Sequence, residues 1–418
     1  MRCFTCLLLL LLTAPCLSAQ TTRSESAASY LARANDWYQK GELDRAIADY
    51  TIAVTFDPRL AEAWCNRGSI RQLKGEPEAA LSDFNKALEI NPRYADAWFN
   101  RGNVRYAKGE LESAIADFSH ALAINPRYVS AYLNRAAALR RKGEIAQALS
   151  DCHQALKLNP RSSAGCNLRG RLREDQGDLT GALADYNRAL ELNPRNPDPL
   201  VNRGGLRYRK GEFDGAISDH TRAIELDPRC AEAYANRGVA RRAKGELNDA
   251  LSDFNHAIEI KPDLADHWNN RGAVRLQRGD LTGAISDNTR ALEINPRLVE
   301  AWCDRGAARL SKGDVVGAIS DFNRAIELKP GFAEAWFNRG TARFESGDLA
   351  GAIADYSHVI TLEPRNADAW AVRGLARLWL GREAEAQQDF AQCLSLNIAL
   401  KASLERHIRE VRMKLTVK

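Results

Sequence analysis

Apolar residues recur along this chain at spacings of three and four inside short blocks, and the block pattern itself returns every 34 residues. Numbered within one such unit, the fourth, eighth and eleventh places form one stripe and the twentieth, twenty-fourth and twenty-seventh form another. That is the 3.6-residue period of two amphipathic helices. The fourth place is usually aromatic (Trp64, Trp98, Trp268, Trp302, Trp336, Trp370), the eighth small, the twentieth Ala and the twenty-fourth aromatic. Gly holds the fifteenth place in every unit, from Gly41 and Gly75 to Gly381, and ends the first helix in the left-handed conformation. Pro at the thirty-second place, as in Pro58, Pro92 and Pro126, stops the second helix. Eleven gapless units start at residues 27, 61, 95, 129, 163, 197, 231, 265, 299, 333 and 367 and end at Leu400. The pattern predicts an all-α stack of antiparallel helix pairs, none of which buries its apolar face alone.

Two segments lie outside the period. Residues 1–19 carry a basic start at Arg2, an apolar run from Leu7 to Leu12 and small residues at Ser18 and Ala19, which reads as a secretory signal cleaved near Ala19. Pro15 disfavours the rival reading, a lipoprotein anchored through Cys16. Residues 20–26 form a linker. Over residues 401–418, Leu400, Leu404, Ile408, Val411 and Leu415 recur at helical spacing among basic residues. That segment is a solvating cap on the last unit, or else a basic helix for an anionic surface or partner.

With these motifs in place, the chain resembles the tetratricopeptide repeat family over nearly all of its length after the signal. The resemblance implies a right-handed α-solenoid of eleven helix-turn-helix units whose first helices line a concave groove, closed by the C-terminal helix.

Charge narrows the partner classes. The net charge is +5, and Arg2 together with the six Lys/Arg and two Glu of residues 401–418 accounts for all of it. A neutral repeat body lacks the electrostatic footprint of a nucleic-acid binder, and no later stretch is long and apolar enough for stable membrane insertion. The cysteines beyond the leader show no metal-ligand spacing, so no metal or other cofactor is expected. Cys152 and Cys166 are the one close pair, and form either a disulfide or two free core thiols. Cys152, Cys166, Leu200 and His220 stand where aromatics recur elsewhere, and Pro197 and Pro199 open the sixth unit, which marks repeats four to six as a seam.

The seventh place is Arg in all eleven units, from Arg33 and Arg67 to Arg373, and the eleventh is Arg in nine, from Arg71 to Arg377. Both face the helix packing and need partners there. The twenty-third place is Asp in every unit, so a ladder of Arg-to-Asp contacts is expected, one rung per repeat, drawn from residues such as Arg237, Arg241 and Asp253 or Arg271, Arg275 and Asp287. Its role is structural rather than anion-binding, and twenty Arg against eleven Asp leave some Arg to snorkel or to bond carbonyls.

The sixth place points away from the core. Asn66, Asn100, Asn134, Asn202, Asn236, Asn270 and Asn338 form a column there, interrupted by Ala32, Leu168, Asp304 and Val372. An Asn amide offers the donor and acceptor that match a peptide backbone. The column looks like the asparagine ladder with which O-linked N-acetylglucosamine transferases grip polypeptide in their repeat superhelix; the alternative is that these amides cap or bond neighbouring helix backbones, or solvate the groove. Beside the column stand Arg140, Arg141, Arg171, Arg209 and Arg242 in repeats four to seven, and Leu276, Leu310, Phe344, Leu378 and Trp379 in repeats eight to eleven. A ligand with adjoining acidic and apolar stretches would suit them.

No phosphate loop, nucleophile elbow or His/Glu metal pair appears, and nothing beyond the repeats is large enough for a catalytic domain. The sequence therefore points to a non-catalytic, exported scaffold that binds an extended polypeptide, with no small-molecule substrate. The second reading is an assembly protein whose partners dock on its convex face or basic C-terminal helix.

Overall fold

The computed structural model describes residues 26–416, so the proposed signal at residues 1–19 and most of the linker lie outside the described residues. Within them the protein is built of twenty-three α-helices and one short 3-10 turn, with no strand. Each repeat is two helices, such as Ala95–Lys108 followed by Leu111–Ile124 in repeat three. First helices begin at the predicted residue in ten repeats; in the sixth, Pro197 becomes the N-cap and the helix runs Asp198–Arg209. Pro199 sits in its first turn, where a missing N–H removes no helical hydrogen bond.

The turn between the two helices follows from one glycine. Gly109 has φ of 82°, and its ten counterparts fall between 71° and 88°. A Cβ in that left-handed region meets the following carbonyl, so Gly is the low-energy choice.

Packing within a repeat rests on a second small residue. A Cβ added to Gly102, at the eighth place, would lie 2.7 Å from Cε1 of Phe118, at the twenty-fourth. The bare backbone lets the ring sit flat against the first helix, and Phe118 is fully buried. Ala at the twentieth place is fully buried in every repeat, from Ala46 to Ala386, and sets the close approach of the second helix.

The chain divides into two compact units at Leu192 and Asn193, between repeats five and six. Inside each unit, consecutive first helices touch one another, whereas consecutive second helices make no comparable contact among the described residues. First helices are therefore the crowded side of each stack.

Repeat eleven lacks the terminal Pro; Ile398–Leu400 form the 3-10 turn, and Lys401–Thr416 follow as a helix. This last helix packs on the first helix of repeat eleven, Ala367–Trp379, and buries Leu404 and Val411 there. Its Lys401, Arg406, Arg409 and Lys414 remain exposed.

Candidate functional site

The ion-pair ladder is present in every repeat and is denser than the sequence implies. Arg at the seventh place donates through Nη2 to one carboxylate oxygen of Asp at the twenty-third, over 2.5–2.8 Å in all eleven repeats. Its Nε donates beside this bond, as from Arg271 to Asp287 at 2.9 Å, and makes the contact a fork. The nine eleventh-place Arg residues approach the same carboxylates at 2.7–2.9 Å, Arg241 on Asp253 and Arg275 on Asp287 among them. The second set of arginines is thus not surplus, because nine of the carboxylates each accept from two guanidiniums. In repeat one Trp37 Nε1 fills the second role on Asp49 at 3.1 Å. Repeat four has Leu139 at that place instead.

The ladder also joins neighbours. Arg67 Nη1 donates to Thr51 of the preceding repeat at 3.0 Å, Arg101 to Asn85 at 2.7 Å and Arg135 to Ser119 at 2.9 Å. The same guanidinium lies over the fourth-place aromatic, Arg67 4.6 Å from the Trp64 ring centre. Each indole in turn donates to the last Pro carbonyl of the repeat before it, as Trp98 does to Pro92 at 2.9 Å. The twenty-fifth-place acceptors escape a reading by identity, since Thr51, Asn85 and Ser119 share only a polar atom at one register.

The seven asparagines of the column are all half-buried and all lie on first helices. Several are already engaged from one repeat to the next. Asn66 Nδ2 donates to Asn35 at 3.3 Å, Asn100 to Ser69 at 3.2 Å and Asn134 to Asn103 at 2.7 Å, each acceptor holding the ninth place of the preceding repeat. Asn338 Nδ2 lies 3.5 Å from Cys303 Sγ. In these repeats the amide has a structural duty, toward side chains of the neighbouring helix rather than toward its backbone. Among the described residues, the side chains of Asn236 and Asn270 have no hydrogen-bond partner.

Two cavities open on this face. One of about 390 Å³ is lined by Asn35, Tyr38, Gln39, Tyr50, Asn66 and Ser69, uncharged throughout. The other, of about 380 Å³ in repeats seven to ten, includes Arg242, Asn270, Leu276, Gln277, Glu300, Asp304 and Glu334. Asp304 takes the sixth place in repeat nine and accepts from Asn269 Nδ2 at 2.8 Å. Burial pushes its carboxyl up to about 6, against the lowering effect of that hydrogen bond, with Glu334 raising it further and Arg242 lowering it.

The division of flanking side chains into a basic and an apolar stretch needs correction. Arg140 forms a forked ion pair with Asp175, Nε to Oδ2 at 2.5 Å, and Arg141 donates to the Tyr106 carbonyl at 3.2 Å. Arg171 and Arg209 are exposed, while Arg242 faces the carboxylates of the second cavity. Leu378 is 1% exposed and lies in the cluster that the C-terminal helix covers. Repeats eight to ten therefore offer carboxylates as well as the apolar Leu276.

The sulfur pair is not bridged. Cys152 and Cys166 are both buried free thiols, and Cys152 Sγ donates to the Gly165 carbonyl at 3.2 Å. Burial pushes the Cys152 thiol up to about 12, which makes it a poor nucleophile. No described helix is long and apolar enough to cross a membrane. No group of three or more His, Cys, Asp or Glu among the described residues is placed to hold a metal ion.

Family models described as TPR repeat match residues 34–75, 102–143 and 170–211. Those described as tetratricopeptide repeat match residues 61–94, 84–116, 129–162, 201–265, 272–333, 303–361 and 337–392. No curated protein matches the sequence. Among solved structures, the APC/C hetero-tetramer Cut9-Hcn1 is similar at 12% identity and a TM-score of 0.53, over 93% of this chain and 96% of that one. A tetratricopeptide repeat protein from Parabacteroides merdae aligns at 20% identity and a TM-score of 0.49, over 59% of this chain and 98% of its own. YrrB, a TPR protein with an unusual peptide-binding site, aligns at 24% identity and 0.38, over 45% of this chain and 97% of its own. At such identities the first of these speaks to the fold alone.

Proposed function

Since the chain belongs to the tetratricopeptide repeat family, whose members generally mediate protein–protein contacts, we propose that it is a non-catalytic scaffold that holds an extended polypeptide along its first helices. The observation that carries this reading is the state of Asn236 and Asn270. Both amides are half-buried on the crowded face without a hydrogen bond to any of the described residues, and Asn270 borders a cavity that also offers Arg242 and Leu276. A half-buried amide with neither donor nor acceptor used is suited to a backbone amide of a bound chain. Leu276 and Ala273 add apolar surface beside it, and the carboxylates of Glu300, Asp304 and Glu334 favour a ligand with basic residues at this point rather than acidic ones.

The test is a peptide array of overlapping extended sequences probed with the full chain and with the Asn236→Ala/Asn270→Ala variant. The reading expects binding to a subset of peptides and its loss in the variant at unchanged helicity. Equal binding by both proteins would refute the asparagine role. With residues 1–19 read as a cleaved signal, the scaffold works after export; N-terminal sequencing of the protein from its native cells checks for a start near Gln20.

A further inference from the structure

The ladder supplies its own internal standard. In ten repeats the buried aspartate accepts from two side chains, the seventh-place Arg and either an eleventh-place Arg or, in repeat one, Trp37. Among the described residues, Asp151 in repeat four accepts from Arg135 alone, because Leu139 stands at the eleventh place. Its side chain keeps 9% exposure where that of Asp83 keeps 1%.

A cavity of about 310 Å³ opens at this point, lined by Ile115, Ser119, Arg135, Leu139, Gln147, Ser150 and Asp151. Gln147 and Ser150 are exposed, so it reaches the surface. Gln147 holds the nineteenth place, whose carbonyl takes a further bond from the eleventh-place Arg elsewhere: Arg173 reaches Gly181 O at 3.2 Å and Arg207 reaches Gly215 O at 3.4 Å. The acceptors that surround a second guanidinium in other repeats thus remain in repeat four. Ile115 and Leu139 provide an apolar wall for an aliphatic stem.

We propose that this cavity is a recognition site for the side chain of an arginine carried by a partner protein, whose guanidinium completes the rung on Asp151 where other repeats use their own eleventh-place Arg. One carboxylate already faces two guanidiniums in nine repeats, so a second cation beside Arg135 repeats an arrangement the fold contains. The planar fork of guanidinium suits a carboxylate oxygen and a carbonyl together, and an ammonium reproduces neither the fork nor its span. The site lies away from the asparagine column, and it stands or falls independently of that reading.

The experiment titrates the full chain with N-acetyl-arginine methylamide and follows amide chemical shifts, with N-acetyl-citrulline methylamide as the uncharged isostere. Shifts at Gln147, Ser150 and Asp151 that saturate with the arginine probe and are at least about tenfold weaker with citrulline are expected. Leu139→Arg places a guanidinium on Asp151 from within the chain; it should fold, raise the melting temperature and abolish those shifts, while Leu139→Met should keep them. Absence of saturable shifts in the parent chain, equal response to citrulline, or undiminished binding by Leu139→Arg would each overturn the proposal.

Discussion

Arg67 and Asp83 are joined by two parallel hydrogen bonds, Nε to Oδ2 at 2.9 Å and Nη2 to Oδ1 at 2.7 Å, and both residues are more than nine-tenths buried. Such a pair contributes little net stability as a whole, yet it is costly to break from one side. Asp83→Ala strands the buried charge of Arg67 and removes the partner of Arg71, and is expected to lower the free energy of unfolding by about 3–5 kcal/mol. Replacing Arg67 and Arg71 by Met and Asp83 by Leu together should recover most of that loss. Urea titrations followed by circular dichroism decide it, and an Asp83→Ala protein as stable as the parent would remove the ladder from the account of this fold.

The contact of Gly102 with Phe118 yields a second expectation. A methyl at Gly102 would sit 2.7 Å from the ring, and the helix-to-helix distance is fixed by the fully buried Ala114 beside it. Gly102→Ala should therefore cost about 1–3 kcal/mol through overpacking, although Ala is the better helix former. Repeat four uses the opposite pairing, with Ala136 at the eighth place and Cys152 at the twenty-fourth. The double variant Gly102→Ala/Phe118→Cys should accordingly lose less than the two single variants added together, which a double-mutant cycle reads directly.

Those two contacts show how far the sequence carries. Helix starts, the glycine turns and the Arg-to-Asp register were legible because one residue type recurs at one place. The second guanidinium on nine of the carboxylates was not, since matching twenty arginines to eleven aspartates requires knowing that two guanidiniums fit one carboxylate. The acceptors at Thr51, Asn85 and Ser119 were hidden by their varied identity, which hydrogen bonding tolerates and pattern reading does not. Leu378 was misplaced because its register matches groove residues such as Leu276, while the helix that covers it lies outside the period.

The asparagine column divides into two experimental classes. Asn134 Nδ2 donates to Asn103 Oδ1 at 2.7 Å between repeats, so Asn134→Ala leaves a half-buried acceptor unpaired and should cost about 1 kcal/mol. Asn236 has no such bond, and Asn236→Ala should leave unfolding unchanged within about 0.5 kcal/mol. If both substitutions destabilise equally, Asn236 has a structural partner and the case for a ligand there collapses.

His220 makes the array sensitive to acid. Its ring is fully buried, with no hydrogen-bond partner for either nitrogen among the described residues, at a place that is Phe or Tyr in most repeats. Burial lowers its pKa from 6.5 to about 4, with Asp219 opposing that shift and Arg237 adding to it. The folded value lies below the unfolded one, so the unfolded chain takes up the proton first as pH falls. Stability is fully present above about pH 6.5 and is lost progressively down to about pH 4, a difference of about 2 kcal/mol by pH 5. His220→Phe removes the titrating group and restores the ring that Gly204 is shaped to meet, since a Cβ there would lie 2.7 Å from the imidazole. The other histidines and the carboxylates titrate in both proteins and cancel in the comparison. Urea unfolding at pH 7.5 and pH 5 should therefore show the parent losing about 2 kcal/mol more than the variant, and equal losses would mean that the imidazole gains a proton without leaving its site.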